Sequence, residues 1–324
     1  MKQVSRICIR MTTPDLGRRG LLAGGVGLAA FGLAACTTTP SPPAQPSVPV
    51  EVPPEAPAVV IPKAPPKPPR IGLALGGGAA RGFAHIGVIQ VLEEQGVRPD
   101  LVVGTSAGSL VAAMYASGKS GVEMGSLAES MDESAITDWM FPGRGMLRGE
   151  ALANYVRKMT GGKLIEQMKM PLGIVATDLG NGQPVLFQRG DTGLAVRASS
   201  AVPAVFQPVP INGREYVDGG LVAPVPVRFA RQMGAEFVIA VDISAAPEGN
   251  ATTDTMRLLL QTFAIMGRSI NHFELREADV VLRPKLAGVS SADFSARKRA
   301  IAAGREAAIA SLNDLRARVL AKTL

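Results

Sequence analysis

The sequence contains few of the side chains that most often transfer protons or bind metals in enzymes. Its 324 residues include two histidines, His85 and His272, and two cysteines, Cys8 and Cys36. A histidine general base would therefore have to be one of only two residues. If Cys8 is lost with an N-terminal leader, Cys36 is the only thiol left. That excludes an internal disulfide and a cysteine-based metal site in the mature chain.

The N-terminal segment also lacks a hydrophobic run that is typical of a transmembrane helix. The uncharged run GLLAGGVGLAAFGLAAC follows Arg18 and Arg19, and it is short and rich in glycine. A basic start, a short apolar core and small residues before a cleavage site are typical of a secretory signal. Residues 1–35 are therefore predicted to be a removable leader.

The end of this run, Leu-Ala-Ala-Cys36, resembles the lipobox of bacterial lipoproteins. The resemblance implies that Cys36 is acylated, becomes the mature N-terminus and anchors an exported protein to a bacterial membrane, facing the periplasm. Thr37 stands where an aspartate marks inner-membrane retention in some lipoproteins, and this favours the outer membrane. Arg18-Arg19 also resembles a twin-arginine export signal. An ordinary signal peptide with a chance cysteine is the alternative.

Removal of the leader changes the argument from charge. Residues 1–35 carry five basic side chains and one acidic, which is +4 of the formal +7, so the mature chain keeps +3. The charge balance therefore gives little support to nucleic-acid binding. Thirteen of the 25 prolines lie in residues 40–69, which cannot form a core. Residues 36–69 are predicted to be an extended polyproline II linker.

Residues 70–324 are predicted to form one α/β domain, because short apolar runs alternate with helical patterns. Strands are predicted at 71–75, 101–103, 172–177, 185–187, 237–241 and 280–282, and helices at 84–95 and 106–116. A closing amphipathic helix is indicated by the spacing of Ile301, Ala308, Leu312, Leu315 and Val319. This alternation is typical of a largely parallel sheet covered by helices.

Two glycine-rich corners follow the first two predicted strands, where open α/β sheets place their sites. The first corner is LALGGGAARGFAHIG, residues 73–87. Gly76, Gly78 and Gly82 have a spacing close to that of a dinucleotide-binding loop, which needs an acidic residue at the end of the next strand. That strand ends without one, so nucleotide binding is disfavoured.

The second corner, Gly104-Thr-Ser-Ala-Gly108, has the strand–turn–helix context of a nucleophile elbow. Small residues flank the serine because the turn is sharp and the chain passes close to its neighbours. The N-terminus of the following helix contributes positive potential near the serine oxygen. Ser106 is therefore the predicted nucleophile.

A serine nucleophile needs a base, and the order Ser106, Asp218, His272 would suit an α/β-hydrolase triad. His272, however, lies in a predicted helix nearly opposite the centre of its apolar face and is expected to point to solvent. The apolar face comprises Met256, Leu259, Phe263, Met266, Ile270 and Phe273. His85 opens the helix after the first corner, where a structural role is expected. The triad is disfavoured.

Three aspartates, Asp178, Asp218 and Asp242, end or follow apolar strands, and a turn-forming role is favoured for each one alone. Only Asp218 is followed by two glycines, which leave its carboxylate room beside another loop. A carboxylate that is hydrogen-bonded to a serine can accept its proton directly when the site is dry enough to raise its basicity.

Taken in order, these motifs resemble those of the patatin-like phospholipase family, from residue 70 to about residue 282. The glycine loop ending Arg81-Gly82 resembles the family's oxyanion-hole motif, and the second corner resembles its G-x-S-x-G. Asp218-Gly219 resembles the Asp-Gly of its histidine-free Ser–Asp dyad. The segment VRASSAVPAVFQPV resembles the family's stretch between those last two motifs. The chain departs from the pattern at Ala79, where the family often has a third glycine.

The resemblance implies a three-layer α/β/α sandwich with a mostly parallel sheet, and hydrolysis of acyl esters in two steps. Ser106 would attack the ester with Asp218 as base, and the N–H groups of Gly77, Gly78 and Ala79 would hold the oxyanion. Water deprotonated by Asp218 would then release the fatty acid. Arg81 is expected to brace the loop, and a direct role is the alternative. The remaining motif residues are Gly76, Gly82, Gly104, Gly108 and Gly219.

The expected substrates are membrane lipids or small acyl esters, with no metal, no cofactor and no nucleic acid. Two other functions stay open. One is an α/β-hydrolase-type esterase with a Ser106–Asp218–His272 triad. The other is a catalytically silent domain that binds lipids or acts as an interaction module. The intact Ser106 and Asp218 favour catalysis over silence.

Overall fold

The fold is described from a computed structural model that covers residues 67–138, 145–245, 254–290 and 292–323. The predicted leader, Cys36 and nearly all of the predicted linker lie outside these residues. Within the described ranges, no helix combines the length and the apolar character needed to cross a membrane.

Ten strands are found in the described part of the chain. They are β1 (Ile71–Leu75), β2 (Leu101–Thr105), β3 (Gly145–Leu147), β4 (Leu172–Asp178), β5 (Pro184–Phe187), β6 (Ala204–Phe206), β7 (Val209–Ile211), β8 (Arg214–Asp218), β9 (Phe237–Val241) and β10 (Val280–Leu282). Eight of them form one sheet in the order β10-β9-β1-β2-β4-β8-β7, with β5 also paired to β4. Strands β3 and β6 form a small separate sheet.

Eight α-helices occur in the same ranges. They are α1 (Phe83–Glu94), α2 (Ala107–Ala116), α3 (Gly121–Ser130), α4 (Glu150–Thr160), α5 (Thr192–Ser199), α6 (Val227–Gln232), α7 (Thr255–Glu274) and α8 (Arg297–Thr323). Buried side chains of α1 to α5 and α8 share one core with the main sheet, and α6 contributes to a second core.

The two cores lie on opposite faces of the sheet. In β1, Leu73 and Leu75 belong to the first core and Ala74 to the second, and all three are completely buried. Successive side chains of a strand point to opposite faces, so a sheet that is covered on both sides needs apolar residues throughout. This pattern confirms the predicted three-layer α/β/α sandwich.

The direction of the strands changes across the sheet. The run β10, β9, β1, β2, β4 is parallel, as predicted, whereas β5 and β8 are antiparallel to β4, and β7 is antiparallel to β8. Thr105 of β2 pairs with Val175 of β4, and the next residue, Ala176, pairs with Asp218 of β8. The ends of β2 and β8 therefore flank β4 at the same level.

The closing helix α8 packs tightly against α1 through two glycines. A Cβ added at Gly87 would lie 1.9 Å from the carbonyl oxygen of Ile301, and one added at Gly304 would lie 2.0 Å from that of Ala84. Only glycine permits this approach of the two backbones. Of the residues that predicted an amphipathic helix here, Ala308 and Leu315 are buried and the others border the core.

Candidate active site

Ser106 occupies the sharp turn between β2 and α2 in a strained backbone conformation. Its φ of 53° and ψ of −124° lie in a region that residues with side chains rarely adopt. A Cβ at Gly104 would lie 2.4 Å from the carbonyl oxygen of Gly108, and one at Gly108 would lie 2.1 Å from that of Leu75. Both glycines are therefore required by close backbone contacts, and they hold the serine at the top of the sheet.

Ser199, the last residue of α5, braces this turn from the side. Its Oγ accepts a hydrogen bond from the N–H of Ser106 at 2.9 Å and donates one to the carbonyl oxygen of Val175 at 2.6 Å. The side chain is completely buried. The sequence pattern assigned Ser199 no role, although it lies in the VRASSAVPAVFQPV segment, because its importance arises only from contacts between distant elements.

Asp218 ends β8 and is held in place by three hydrogen bonds. Its N–H donates to the carbonyl oxygen of Ala201 at 3.0 Å, and its own carbonyl oxygen accepts from the hydroxyl of Thr177 at 2.8 Å. Its Oδ1 accepts the N–H of Gly220 at 2.7 Å. The side chain is buried, and Oδ2 has no hydrogen-bond partner among the described residues.

The burial of Asp218 makes its carboxylate unusually basic. Removal from water raises the pKa of Asp218 to about 6, and the neighbouring Ser106 hydroxyl and Gly220 N–H oppose this rise. Ser106 is therefore close enough to interact with the carboxylate, although no contact to Oδ2 has full hydrogen-bond geometry. The group is ionised at neutral pH and is a stronger base than an ordinary aspartate.

Gly219 explains how Asp218 comes near the serine turn. A Cβ at Gly219 would lie 2.2 Å from the carbonyl oxygen of Val175 and 3.2 Å from a methyl group of Thr105, the residue before Ser106. The chain after Asp218 thus crosses directly over β4 toward the end of β2. The glycine predicted to leave room at this point is required by these contacts.

The first glycine corner lies against Ser106, but one predicted oxyanion donor is used inside the fold. A Cβ at Gly77 would lie 3.2 Å from the Cβ of Ser106 and 3.9 Å from its Oγ. The N–H of Gly77, however, donates to the carbonyl oxygen of Pro224 at 2.9 Å. Because that donor is occupied, the assignment of Gly77 to the oxyanion hole is wrong for this conformation.

The next two N–H groups of the corner are not used in this way. Within the described residues, neither Gly78 nor Ala79 donates its N–H to a protein acceptor. Ala79 has a φ of 49°, which favours glycine, and it is the residue at which the sequence departs from the motif that it resembles. Ala79 thus keeps the backbone shape of the loop at the cost of some strain.

Arg81 and Gly82 form the end of the corner, in a short 3-10 helix (Ala79–Gly82). Arg81 is buried, and its N–H donates to the carbonyl oxygen of Gly78 at 3.1 Å. A Cβ at Gly82 would lie 2.8 Å from the Cβ of Ala107, at the start of α2. Gly82 therefore lets the two glycine corners pack directly against each other.

His85 supports the first corner from beneath. Its Nε2 lies 2.8 Å from the carbonyl oxygen of Gly76, and its side chain is completely buried. Burial lowers the pKa of His85 to about 4, and the hydrogen bond to Gly76 and the charge of Asp242 only partly offset this. The ring is neutral at pH 7 and must donate from Nε2, since a carbonyl only accepts. This is the structural role that its position predicted.

His272 is exposed on α7, as predicted, and the structure does not bring it to Ser106 or Asp218. Its Nε2 lies 2.6 Å from the guanidinium of Arg276, and its ring packs edge-on against Phe273. These contacts keep the imidazole on the surface, so the geometry gives no support to a triad.

The predicted buried face of α7 is wrong. The buried residues of this helix are Gly267, Asn271 and Glu274, whereas Leu259 and Met266 are about half exposed. Polar contacts explain the difference. Asn271 accepts the N–H of Val225 and donates to the hydroxyl of Ser244, and Glu274 pairs with Arg228. Polar hydrogen bonds rather than apolar packing therefore set the orientation of α7.

The other two strand-end aspartates stabilise turns. Asp178 accepts the N–H of Gly180 at 2.9 Å and pairs with Arg214 at 2.8 Å, and Asp242 accepts the N–H of Ser244 at 3.0 Å. Across the described ranges, no group of three histidine, cysteine or acidic residues has an arrangement that could hold a metal ion.

Comparisons with known proteins show which sequences and structures this chain resembles. Residues 73–231 match the sequence model of the patatin-like phospholipases, and that range includes both glycine corners and Asp218. An uncharacterized NTE family protein of Mycobacterium tuberculosis is 40% identical over 186 residues, which is 56% of this chain and 51% of that protein. Human patatin-like phospholipase domain-containing protein 6 is 35% identical over 191 residues, 56% of this chain and 14% of that protein.

A solved structure shows the same fold. The crystal structure of VipD from Legionella pneumophila has a TM-score of 0.53 at 16% identity and covers 76% of this chain and 67% of that one. At this identity the likeness concerns the fold alone. The chain spans about half the length of its mycobacterial relative, so the likeness concerns one region of a longer protein.

Proposed function

Because the chain belongs to the patatin-like phospholipase family, we propose that it is a serine hydrolase of lipid acyl esters, with Ser106 as nucleophile and Asp218 as base. One observation carries the proposal. A buried carboxylate with a raised pKa interacts with a serine in a strained turn, and its second oxygen has no other partner in the part of the chain that the structure describes. Strained backbone and perturbed pKa values are concentrated at functional sites.

In the first step, the Ser106 Oγ attacks the ester carbonyl carbon while its proton passes to Oδ2 of Asp218. The oxyanion that forms is stabilised by the N–H groups of Gly78 and Ala79, which have no other acceptor among the described residues. Loss of one such donor typically costs about 3 kcal/mol of transition-state stabilisation. The tetrahedral intermediate then breaks the ester bond. The leaving alcohol takes the proton from Asp218, and the acyl group stays on Ser106.

In the second step, water replaces the alcohol. Asp218 takes a proton from the water as its oxygen attacks the acyl-serine carbonyl, and the same two N–H groups stabilise the second oxyanion. When the acyl–serine bond breaks, the proton returns from Asp218 to Ser106 and the fatty acid is released. Both histidines stay outside the reaction, since His85 is held by Gly76 and His272 lies on the surface.

We also propose that the hydrolase domain, residues 70–324, is anchored to the periplasmic side of a bacterial membrane, with the outer membrane favoured. Acylated Cys36 would be the anchor once residues 1–35 are removed, and residues 36–69 would be the linker. At about 3.1 Å per residue, the linker reaches roughly 100 Å when stretched. Replacement of Cys36 by alanine should move the protein to the soluble fraction and leave its activity on soluble esters unchanged. Failure of the wild type to incorporate labelled palmitate would contradict the anchor.

The catalytic proposal is tested with Ser106→Ala, Asp218→Asn and His272→Ala. The first two should lose at least about 1,000-fold in fatty-acid release from phospholipids and short esters, whereas His272→Ala should stay within about twofold. Wild-type kcat/KM should rise with pH through about 6 and then level off, because only ionised Asp218 acts as base.

A fluorophosphonate probe should label the wild type and spare Ser106→Ala. Loss of activity in a folded His272→Ala would replace the dyad by a triad. A wild type that takes up no probe and releases no fatty acid would be a silent binding module.

A further inference from the structure

Helix α7 exposes an apolar surface that the fold does not account for. Eleven large apolar side chains in the described residues are more than one third exposed, and six of them lie on this helix. They are Leu258, Leu259, Leu260, Ile265, Met266 and Phe273, with exposures between 41% and 65%. We call these six side chains the α7 surface. Contiguous exposed apolar patches mark sites of interaction.

Five of the six side chains lie along one side of the helix, whereas Leu260 lies about 100° further round, toward the buried side. Leu259, Met266 and Phe273 are seven residues apart, which is about two helical turns, so they form a row. The buried residues of the helix point the other way, where Asn271 and Glu274 are fixed by hydrogen bonds to the body of the domain. The apolar row is therefore held outward by the polar contacts that orient α7.

The middle of α7 carries only basic charges, whereas the exposed Asp254, which pairs with Arg257, and the exposed Glu277 lie at its two ends. Residues 255–273 contain Arg257 and Arg268 and no acidic residue. Arg276, one turn further, lies over the ring of Phe273 at 5.6 Å. Glu274 is buried against Arg228, so its charge is not presented on this side. An apolar row with cationic side chains at its borders complements a membrane interface with phosphate head groups.

The same helix reaches the catalytic pair. The ring of Phe263 lies 3.1 Å from the position that a Cβ of Gly220 would take, and Gly220 donates its N–H to Asp218. Phe263 precedes Met266 by one turn, so the α7 surface is continuous with the wall of the active site. A substrate that leaves a membrane under α7 would enter beside Asp218.

We propose that the α7 surface docks the domain onto an anionic phospholipid bilayer and so delivers lipid to Ser106. Delivery of lipid to Ser106 rests on the proposed hydrolase function, but docking to the bilayer does not. A second copy of the chain is the other occupant that an apolar face could take. The bilayer is favoured because the α7 surface is continuous, through Phe263, with the wall beside Asp218, where a lipid would enter.

Docking is measured in the full chain with Cys36→Ala, to remove the proposed anchor, and Ser106→Ala, to prevent hydrolysis. Sedimentation is done with phosphatidylcholine vesicles with and without about 30% phosphatidylglycerol. In this background, the triple change Leu259→Gln, Met266→Gln and Phe273→Gln should weaken binding to mixed vesicles at least about tenfold. The matched control carries Ile309→Gln and Leu320→Gln, which replace equally exposed residues of α8, and should bind within about twofold of the parent.

A second pair of changes separates charge from apolar insertion. Arg268→Gln with Arg276→Gln should weaken binding to the mixed vesicles and leave binding to pure phosphatidylcholine unchanged. With Ser106 restored, the triple variant should keep its activity on a soluble short ester and lose about tenfold on vesicles. Absence of any Ser106-dependent activity would overturn the hydrolase proposal while the sedimentation result still decided the docking.

Two results would overturn the docking proposal. One is equal vesicle binding by the triple variant and the α8 control. The other is a wild type that sediments as a dimer without vesicles and becomes monomeric only in the triple variant, since the α7 surface would then be a contact between copies. Melting temperatures of the triple variant and the control within a few degrees of the parent's show that both are folded.

Discussion

The two glycine corners of the site are neighbours with the same strand–turn–helix plan, yet they use glycine differently. In the corner around Ser106, a Cβ at Gly104 or Gly108 would collide with backbone atoms at 2.4 Å or less. In the first corner, a Cβ at Gly77 would meet its nearest neighbour, the Cβ of Ser106, at 3.2 Å. Gly104 and Gly108 are required by the fold, whereas Gly77 is required for access to Ser106.

The two corners are also stabilised by different hydrogen bonds, one from Ser199 and one from His85. Ser199 fixes the N–H of Ser106 itself, so it acts on the nucleophile's own backbone. His85 fixes the carbonyl oxygen of Gly76, which lies before the free N–H groups of the loop. The strained turn at Ser106 is stabilised by a hydrogen bond to the nucleophile itself. The loop that carries the N–H groups of Gly78 and Ala79 is stabilised by His85 only at a residue that precedes them, Gly76. Variants can therefore separate loss of fold from loss of chemistry.

The largest contrast should appear between Gly108→Ala and Gly77→Ala. The first places a Cβ 2.1 Å from the carbonyl oxygen of Leu75 and should destabilise the domain by about 4 kcal/mol or more. The second should fold within about 1 kcal/mol of the wild type but lose about tenfold or more in kcat/KM, because its methyl group would crowd the Ser106 Oγ. Urea unfolding and ester hydrolysis measure the two effects. Equal stabilities would refute the contrast.

The next effect concerns the charge of Asp218. Its folded pKa, about 6, lies above the ordinary aspartate value of 3.8, so the stability of the fold decreases as pH rises through this range. Asp218→Asn should therefore be more stable than the wild type by up to about 3 kcal/mol at pH 7.5, and the difference should vanish near pH 3.5. His85 titrates in both proteins, so its contribution to the pH dependence cancels when their free energies of unfolding are subtracted. A constant difference at all pH values would exclude this cause.

Ser199→Ala should have an intermediate effect. It leaves the N–H of Ser106 and the carbonyl oxygen of Val175 without their hydrogen-bond partner, which typically costs about 1–3 kcal/mol. The nucleophile is then held less firmly, so kcat should fall about tenfold with little change in KM. Ser200→Ala, at the neighbouring serine, is the matched control and should retain most activity. If kcat is unchanged in Ser199→Ala, the brace is structural only.

The smallest change is expected for Ala79→Gly. Glycine adopts a φ of 49° without strain, although it also has more freedom to lose on folding. We expect a stability change below about 1 kcal/mol and a kcat within about threefold of the wild type. Differential scanning calorimetry and ester kinetics test this. A large gain in activity would mean that Ala79 limits the oxyanion hole.

Much of the sheet could be predicted from the sequence, because buried parallel strands are continuous apolar runs. The predicted strand 237–241 has the observed bounds of β9, whereas the strand expected before Asp218, which is β8, was predicted without bounds. Strand β8 begins with Arg214 and Glu215, and the preceding β7 contains Pro210 at its centre. Neither has the pattern of a buried strand, since both lie on the antiparallel side of the sheet. The pairing of β8 with β4, and of β7 with β8, decides their conformation, and a local pattern does not contain that information.

The features of the site could also be predicted only where they depend on local sequence. Ser106 and Asp218 stand in short motifs whose geometry is local, so their positions could be predicted before their partners were known. The engaged N–H of Gly77 and the support from Ser199 depend on residues more than 90 positions away. The orientation of α7 depends on hydrogen bonds to two other segments, and its apolar periodicity pointed the wrong way. Long-range polar contacts are what the sequence could not supply.

The contact between α1 and α8 has a consequence for biosynthesis. α1 is the first helix of the described domain and α8 is the last, and the glycines at 87 and 304 let their backbones touch. During synthesis, some 200 residues separate α1 from the helix that covers its apolar side, so this part of the core closes only after α8 has been made. A truncated mRNA that ends before codon 297 would give a chain in which the apolar side of α1 stays exposed. Such a chain would be bound by chaperones or degraded by proteases rather than act as a smaller enzyme.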